Sequence, residues 1–304
     1  METGNSKHEA KRRSIIYLLL TVGVCLIVGI IAIITPDEIG LAIFSILQKG
    51  FTAVAVLAVV ITRFITKDKT SWNLSLKVWK DKKMLLFAAF LPGLAVLLGA
   101  GIYYLIFPSE LYVNVQSLFD FCAQYGLPAN IGVTTGTIAV TALVLWLASI
   151  FAIPIHLLEL GEEIGWRGYL LPQFLKLMSA KTAVLVSGIF WGIMHAPLIY
   201  FGFNYGESYP GAPYSGILVM IVLCVGIGVW MSYTMLKTNN CMYAAIVHGA
   251  FNVACDMQII SLTVERPLLG PAPTGIIGMS IILVISVGIF IKLPTRVDVS
   301  ERTI

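Results

Sequence analysis

The sequence predicts an all-α fold, a polytopic transmembrane helical bundle, and three observations carry that reading. Hydrophobic residues make up 58% of the 304 residues and charged residues only 12%, with a mean hydropathy of +0.89, far more apolar than water-soluble domains. Apolar runs long enough to cross a hydrocarbon core of about 30 Å, which takes roughly 20 helical residues, recur along nearly the whole chain. Lysines and arginines alternate between rich and poor connecting segments, as they must if the runs are true spans.

The first expected span, 14–35, follows Lys7, Lys11, Arg12 and Arg13. Basic residues before an apolar run also mark a signal peptide, but no convincing small-residue cleavage site follows, so the run reads as a retained span. The second, 39–65, contains Gln48 and Lys49, whose ammonium is expected to snorkel toward the nearer face rather than line a cavity. Residues 67–83 mix Trp72, Leu74, Leu76, Val78 and Trp79 with lysines near the ends, the composition of an interfacial segment on the cytoplasmic leaflet; a solvated loop is the alternative. The third span is 84–107. The fourth, 131–158, opens an apolar stretch that reaches 175, is interrupted by Pro154 and also fits a broken or re-entrant helix. Runs at 182–203, 215–236, 241–263 and 274–293 bring the count to about eight.

On this assignment every lysine and arginine except Lys49 and Arg266 falls on one side, while Asp37, Glu38, Glu110, Asp120 and Glu207 mark the other. Both termini are therefore expected in the cytoplasm. The chain reads as one integral membrane domain over 1–304, multi-pass, in the cell membrane if the source is prokaryotic, with a motif-bearing core at 131–263. Its formal net charge of +4 sets orientation in the lipid bilayer and points to no nucleic-acid partner. Cys25, Cys122, Cys224, Cys241 and Cys255 are odd in number and lack paired spacing, so neither a disulfide framework nor a cysteine metal site is expected.

The densest set of ionisable groups lies in Leu158-Glu-Leu-Gly-Glu-Glu-Ile-Gly-Trp-Arg167. At membrane depth each such charge costs a few kcal/mol unless it is paired or hydrated, about 2.5–3.5 on insertion scales. Glu163 and Arg167 are four apart with the acid first, so on a helix they pair, leaving Glu162 directed elsewhere. An ion-paired helix end at the cytoplasmic face would account for the cluster equally well. His195 stands alone on an apolar run, where a lone histidine is most often a hydrogen-bonded structural residue. His248 and Asn252, also four apart, share a helix face one turn from each other. Taken together, a carboxylate, two imidazoles and an amide on three spans supply a base, a partner to position water and two hydrogen-bond donors, the inventory of peptide hydrolysis.

Glu162-Glu163-x-x-x-Arg167, an aromatic residue four before His195, and His248-x-x-x-Asn252, in that order, resemble the CAAX-protease and bacteriocin-processing family. The resemblance extends from about 131 to 260. Trp191 departs from it, since the family commonly has Phe there, but a large aromatic ring is kept. The resemblance implies an intramembrane endopeptidase acting on a peptide or membrane-protein substrate. Glu162 and His195 would activate water, His248 and Asn252 would stabilise the oxyanion, and Glu163, Arg167 and Trp191 would support the site. It implies no cofactor in the glutamate-type reading. A zinc-dependent protease using the same residues is the disfavoured alternative, because Asn252 is a poor zinc ligand, Glu162 is needed as base, and His8-Glu9 is followed by Arg12 rather than completing H-E-x-x-H. A transporter with an intramembrane proton relay and a scaffold that has kept the fold are the non-enzymatic rivals. No internal repeat supports the first, and the intact polar motif residues weigh against the second.

Overall fold

The structure, a computed structural model, describes residues 2–110, 142–143, 146–255 and 265–295. Asp120, Cys122, Arg296, Arg302, most of the expected fourth span and the end of the seventh lie outside the described residues. Among the described residues the regular structure is helical, with no strand.

Helix α1 (Glu2–Leu18) passes through a π-helical turn at Leu19–Gly23 into α2 (Val24–Ile34). Helix α3 (Asp37–Thr66) follows after Pro36, and α4 (Lys82–Ile106) begins where the Asp81 side chain accepts the Met84 N–H at 2.9 Å, satisfying a donor that the first turn leaves unpaired. Helix α5 (Ile153–Glu163) carries Pro154 in its first turn, where a missing N–H costs no hydrogen bond. The break is thus at Ala152, and the helix does not stop near 158 but continues through a π-helical turn (Ile164–Leu170) into α6 (Leu171–Leu175). Then come α7 (Ala180–Met194), α8 (Ala196–Tyr200), α9 (Tyr214–Thr238), α10 (Cys241–Cys255) and α11 (Ser280–Ile291).

Five stretches, Ser6–Ile34, Asp37–Thr66, Lys82–Ile106, Ala180–Tyr200 and Tyr214–Thr238, are long and apolar enough to cross a membrane; α10 and α11 are apolar but shorter as described. The chain is a multi-pass integral membrane protein. Segments expected on one side are bonded to one another: Arg13 pairs with Asp68 at 3.3 Å, the Cys241 N–H donates to Asn73 O at 2.8 Å, and Lys181 donates to Ile291 O at 3.1 Å. At the opposite end Arg266 and Tyr103 both engage Glu110, and Tyr205 donates to Thr274 O at 2.9 Å.

Residues 67–83 form no amphipathic helix. They run extended apart from one turn at Val78–Lys80, and they are tied down. Asn240 takes both backbone groups of Ser75, at 2.9 and 2.8 Å, while Arg63 donates to Thr70 O and Ser71 O and lies over the Trp72 ring.

In lipid the association of helices depends on close packing and interhelical polar contacts. Gly188 and Gly192, four apart on α7, let its backbone meet α9: a methyl group on either would come within 2.8 Å of Val225 Cα or 2.6 Å of Ile221 Cα. Gly249 does the same for α10 against α5, where a methyl would lie 2.9 Å from the His156 backbone nitrogen. Trp230 donates to Ser286 Oγ at 2.9 Å, and Ser286 in turn donates to Gly226 O at 2.8 Å, which joins α9 to α11.

Candidate active site

Three helices meet around the acidic cluster. On α5, Glu159, Glu162 and Glu163 stand at spacings of three and four, so all three project toward one side of the helix. Helix α7 ends at Trp191 and His195, and α10 faces α5 with His248 and Asn252.

Glu163 is fully buried and pairs with buried Arg167 at 2.8 Å, as the spacing predicts. The same carboxylate oxygen accepts from His248 Nδ1 at 3.0 Å. The π-helical turn between them leaves Arg167 close enough to reach back, and its guanidinium lies 4.6 Å from the Trp191 ring centre. Breaking a buried pair by deleting one partner leaves an uncompensated charge, worth about 3–5 kcal/mol.

Glu162 is the carboxylate of the three with no cation bonded to it. Its Oε2 accepts the Trp191 indole N–H at 2.8 Å, a contact that the family's usual Phe could not make. Trp191 also orders both histidines. Its carbonyl accepts from His195 Nδ1 at 2.8 Å, and its ring stands edge-on to His195 and to His248, with ring centres 5.8 and 5.2 Å away. A carbonyl only accepts, so the His195 proton sits on Nδ1 and the lone pair of the neutral ring is on Nε2. Phe51 of α3 stacks on the other side of His195 at 4.8 Å, with Cys224 Sγ 3.9 Å from Nδ1.

Glu159 is the residue that sequence reasoning left without a role. Its Oε1 accepts from Asn252 Nδ2 at 2.9 Å and its Oε2 faces His248 Nε2 at 3.5 Å. The signal was present, because Glu159 is three before Glu162 and four before Glu163, but the pairing of Glu163 with Arg167 drew the helix-face argument in the other direction. His156 was also overlooked; it is buried under Gly249 and bonded to Ser149 O at 3.0 Å, a packing role with no path to the cluster. The structure thus brings together Glu162, Glu163, Arg167, Trp191, His248 and Asn252, joins His195 to them through Trp191, and adds Glu159. Glu159, Glu162 and His248 present ligand-type atoms within 4.8 Å of one another.

Fold and site together define a class: a helical, multi-pass membrane protein with a buried carboxylate–imidazole–amide cluster inside its bundle. Residues 138–254, which contain every member of that cluster, match the family model described as type II CAAX prenyl endopeptidase Rce1-like. CAAX prenyl protease 2 of Methanococcus maripaludis is 24% identical over 123 residues, 40% of this chain and 45% of that relative, so the chain spans under half the length of the relative it matches. Both findings support the CAAX-protease and bacteriocin-processing family for this chain.

Proposed function

We propose that this protein is an intramembrane endopeptidase of the glutamate type, with Glu162 and His195 as its water-activating pair. The observation that carries this reading is Glu162 itself, a carboxylate held through one oxygen by a neutral indole N–H, beside His195, whose Nε2 keeps its lone pair. Such a pair can accept a proton from water without first dissolving an ion pair. The hydroxide formed attacks the scissile carbonyl carbon, and the C=O bond pair moves onto oxygen. His248 Nε2–H and Asn252 Nδ2–H are the donors aimed at that developing charge. When the tetrahedral adduct collapses, the C–N bond breaks and the amine leaves with the proton first taken from water. The products are a carboxylate and an amine. Glu163, Arg167 and Trp191 hold these groups in place.

The zinc alternative meets the site less well. Glu159, Glu162 and His248 are close enough for a three-ligand set, but both nitrogens of His248 face carboxylate oxygens, which accept hydrogen bonds. That arrangement puts protons on the ring positions a metal would need. The residues as arranged do not fit a metal, and the proposed reaction is metal-free.

The name of the archaeal relative points to prenylated C-terminal CAAX peptides as the first substrate class to try. Purified protein in lipid nanodiscs is offered a prenylated CAAX peptide and its unprenylated counterpart, with wild type beside Glu162→Gln and with or without a chelator. Cleavage by wild type, unaffected by chelator and lost in Glu162→Gln with the melting temperature unchanged, is the expected result. Activity retained in Glu162→Gln assigns the base elsewhere. Activity lost in chelator and restored only by added zinc overturns the metal-free reaction.

A further inference from the structure

Both groups assigned to the oxyanion are already occupied. Asn252 Nδ2 and His248 Nε2 converge on one carboxylate, Glu159, one oxygen each, at 2.9 and 3.5 Å. Neither donor bonds to the other, though they share a face of α10. Glu159 is not held by Arg167, whose partner is Glu163. It therefore stands in the position, and with the charge, that the reaction would create on the substrate carbonyl.

We propose that Glu159 is a rate-setting residue of this site: its carboxylate competes with the substrate oxyanion for Asn252 and His248 and must withdraw before turnover. The proposal rests on the reading of His248 and Asn252 as oxyanion donors. An anionic carboxylate and a developing oxyanion cannot share one pair of donors, because like charges at such separations repel strongly in a low-dielectric site. The observed rate is then the intrinsic rate multiplied by the fraction of sites in which Glu159 has moved away. Since the donors act on charge that appears only in the transition state, the competition lowers kcat and leaves KM nearly untouched.

This competition runs opposite to a structural role. If Glu159 served to position His248 and Asn252, its removal would slow the enzyme; as a competitor, its removal speeds it. Glu159 is not among the residues that the resemblance carries over, so the device belongs to this chain's own sequence. With the peptide that wild type cleaves in nanodiscs, Glu159→Ala is expected to raise kcat about tenfold with KM within about twofold of wild type. Glu159→Gln is expected to give a smaller rise, because the neutral amide oxygen still accepts from Asn252. Asn252→Ala should then cost a larger factor in the Glu159→Ala background than in wild type, since the donor is no longer shared. A kcat that is unchanged or lowered in both Glu159 variants overturns the proposal. If Glu159→Ala yields no folded protein, Glu159→Gln decides by the same sign. Adding Glu162→Gln to Glu159→Ala separates the two readings: if the raised rate survives, the assignment of Glu162 as base fails while the competition by Glu159 stands.

Discussion

Helices α1–α4 and helices α5–α10 are written in much the same apolar residues, yet they stand in different surroundings. The most apolar windows of the first three spans are 33%, 28% and 39% buried within the protein, whereas those of Ala180–Tyr200 and Tyr214–Thr238 are 56% and 61% buried. Ile34, Phe64 and Leu105 on the outer helices turn at least three quarters of their surface outward. The inner helices instead carry glycines at their crossings and polar groups that find partners on other helices. The difference teaches that hydrophobicity alone gets a helix into the bilayer, while small residues and matched polar pairs decide where it stands within the bundle. The outer set is not idle: Phe51 of α3 stacks on His195, and Tyr17 of α1 packs edge-on against Trp166.

The largest test of that contrast is Arg167→Ala. It leaves Glu163 buried with only His248 for a partner and should cost roughly 3–5 kcal/mol, read as a lower melting temperature together with lost activity. Normal thermal stability would mean that the inner cluster is hydrated and no different in kind from the outer surface.

Next in size, His248→Ala and Asn252→Ala should each lower kcat by roughly 10²–10³ with little change in substrate affinity, as expected for donors that act in the transition state. A rise in KM with kcat intact would make them substrate-binding groups. Trp191→Phe removes one hydrogen bond to a charged acceptor and keeps the ring, so a loss of about 1.5–3 kcal/mol at most is expected, seen in kcat before melting temperature. Full activity in that variant would remove the indole from any role in orienting Glu162. At the small end, Leu105→Ala on the outer surface should shift stability by less than about 0.5 kcal/mol, because its side chain exchanges one apolar contact for another. A large loss there would reveal a hidden interface on the outer set.

Much of the cluster was legible because charge at membrane depth is costly and helix spacing is regular. Glu163 with Arg167 followed from a separation of four, and the order of the motifs pointed to α5, α7 and α10. The bonds made by Glu159 were not legible, since its partners lie on α10, 89 and 93 positions further on, and no local rule connects them. Residues 67–83 read as an interfacial segment from their tryptophans and lysines, but their tether to Asn240 is a tertiary bond that composition does not encode. The end expected near 158 failed for a related reason: polar residues enter the sequence there, and a hydropathy window ends where a helix with buried ion pairs continues.

The π-helical turn at Ile164–Leu170 has a consequence for chain length as well as for geometry. A turn of this kind holds more residues per revolution than the helix on either side, so it acts as a phase shift in an otherwise regular rod. Removing a single residue within it would not simply shorten α5–α6. It would relax the turn to ordinary pitch and rotate everything from Leu171 onward by about 100° relative to Glu159, Glu162 and Glu163. Insertions and deletions here therefore behave as rotations, and residues before 164 and after 170 keep their facing only while the count between them stays fixed.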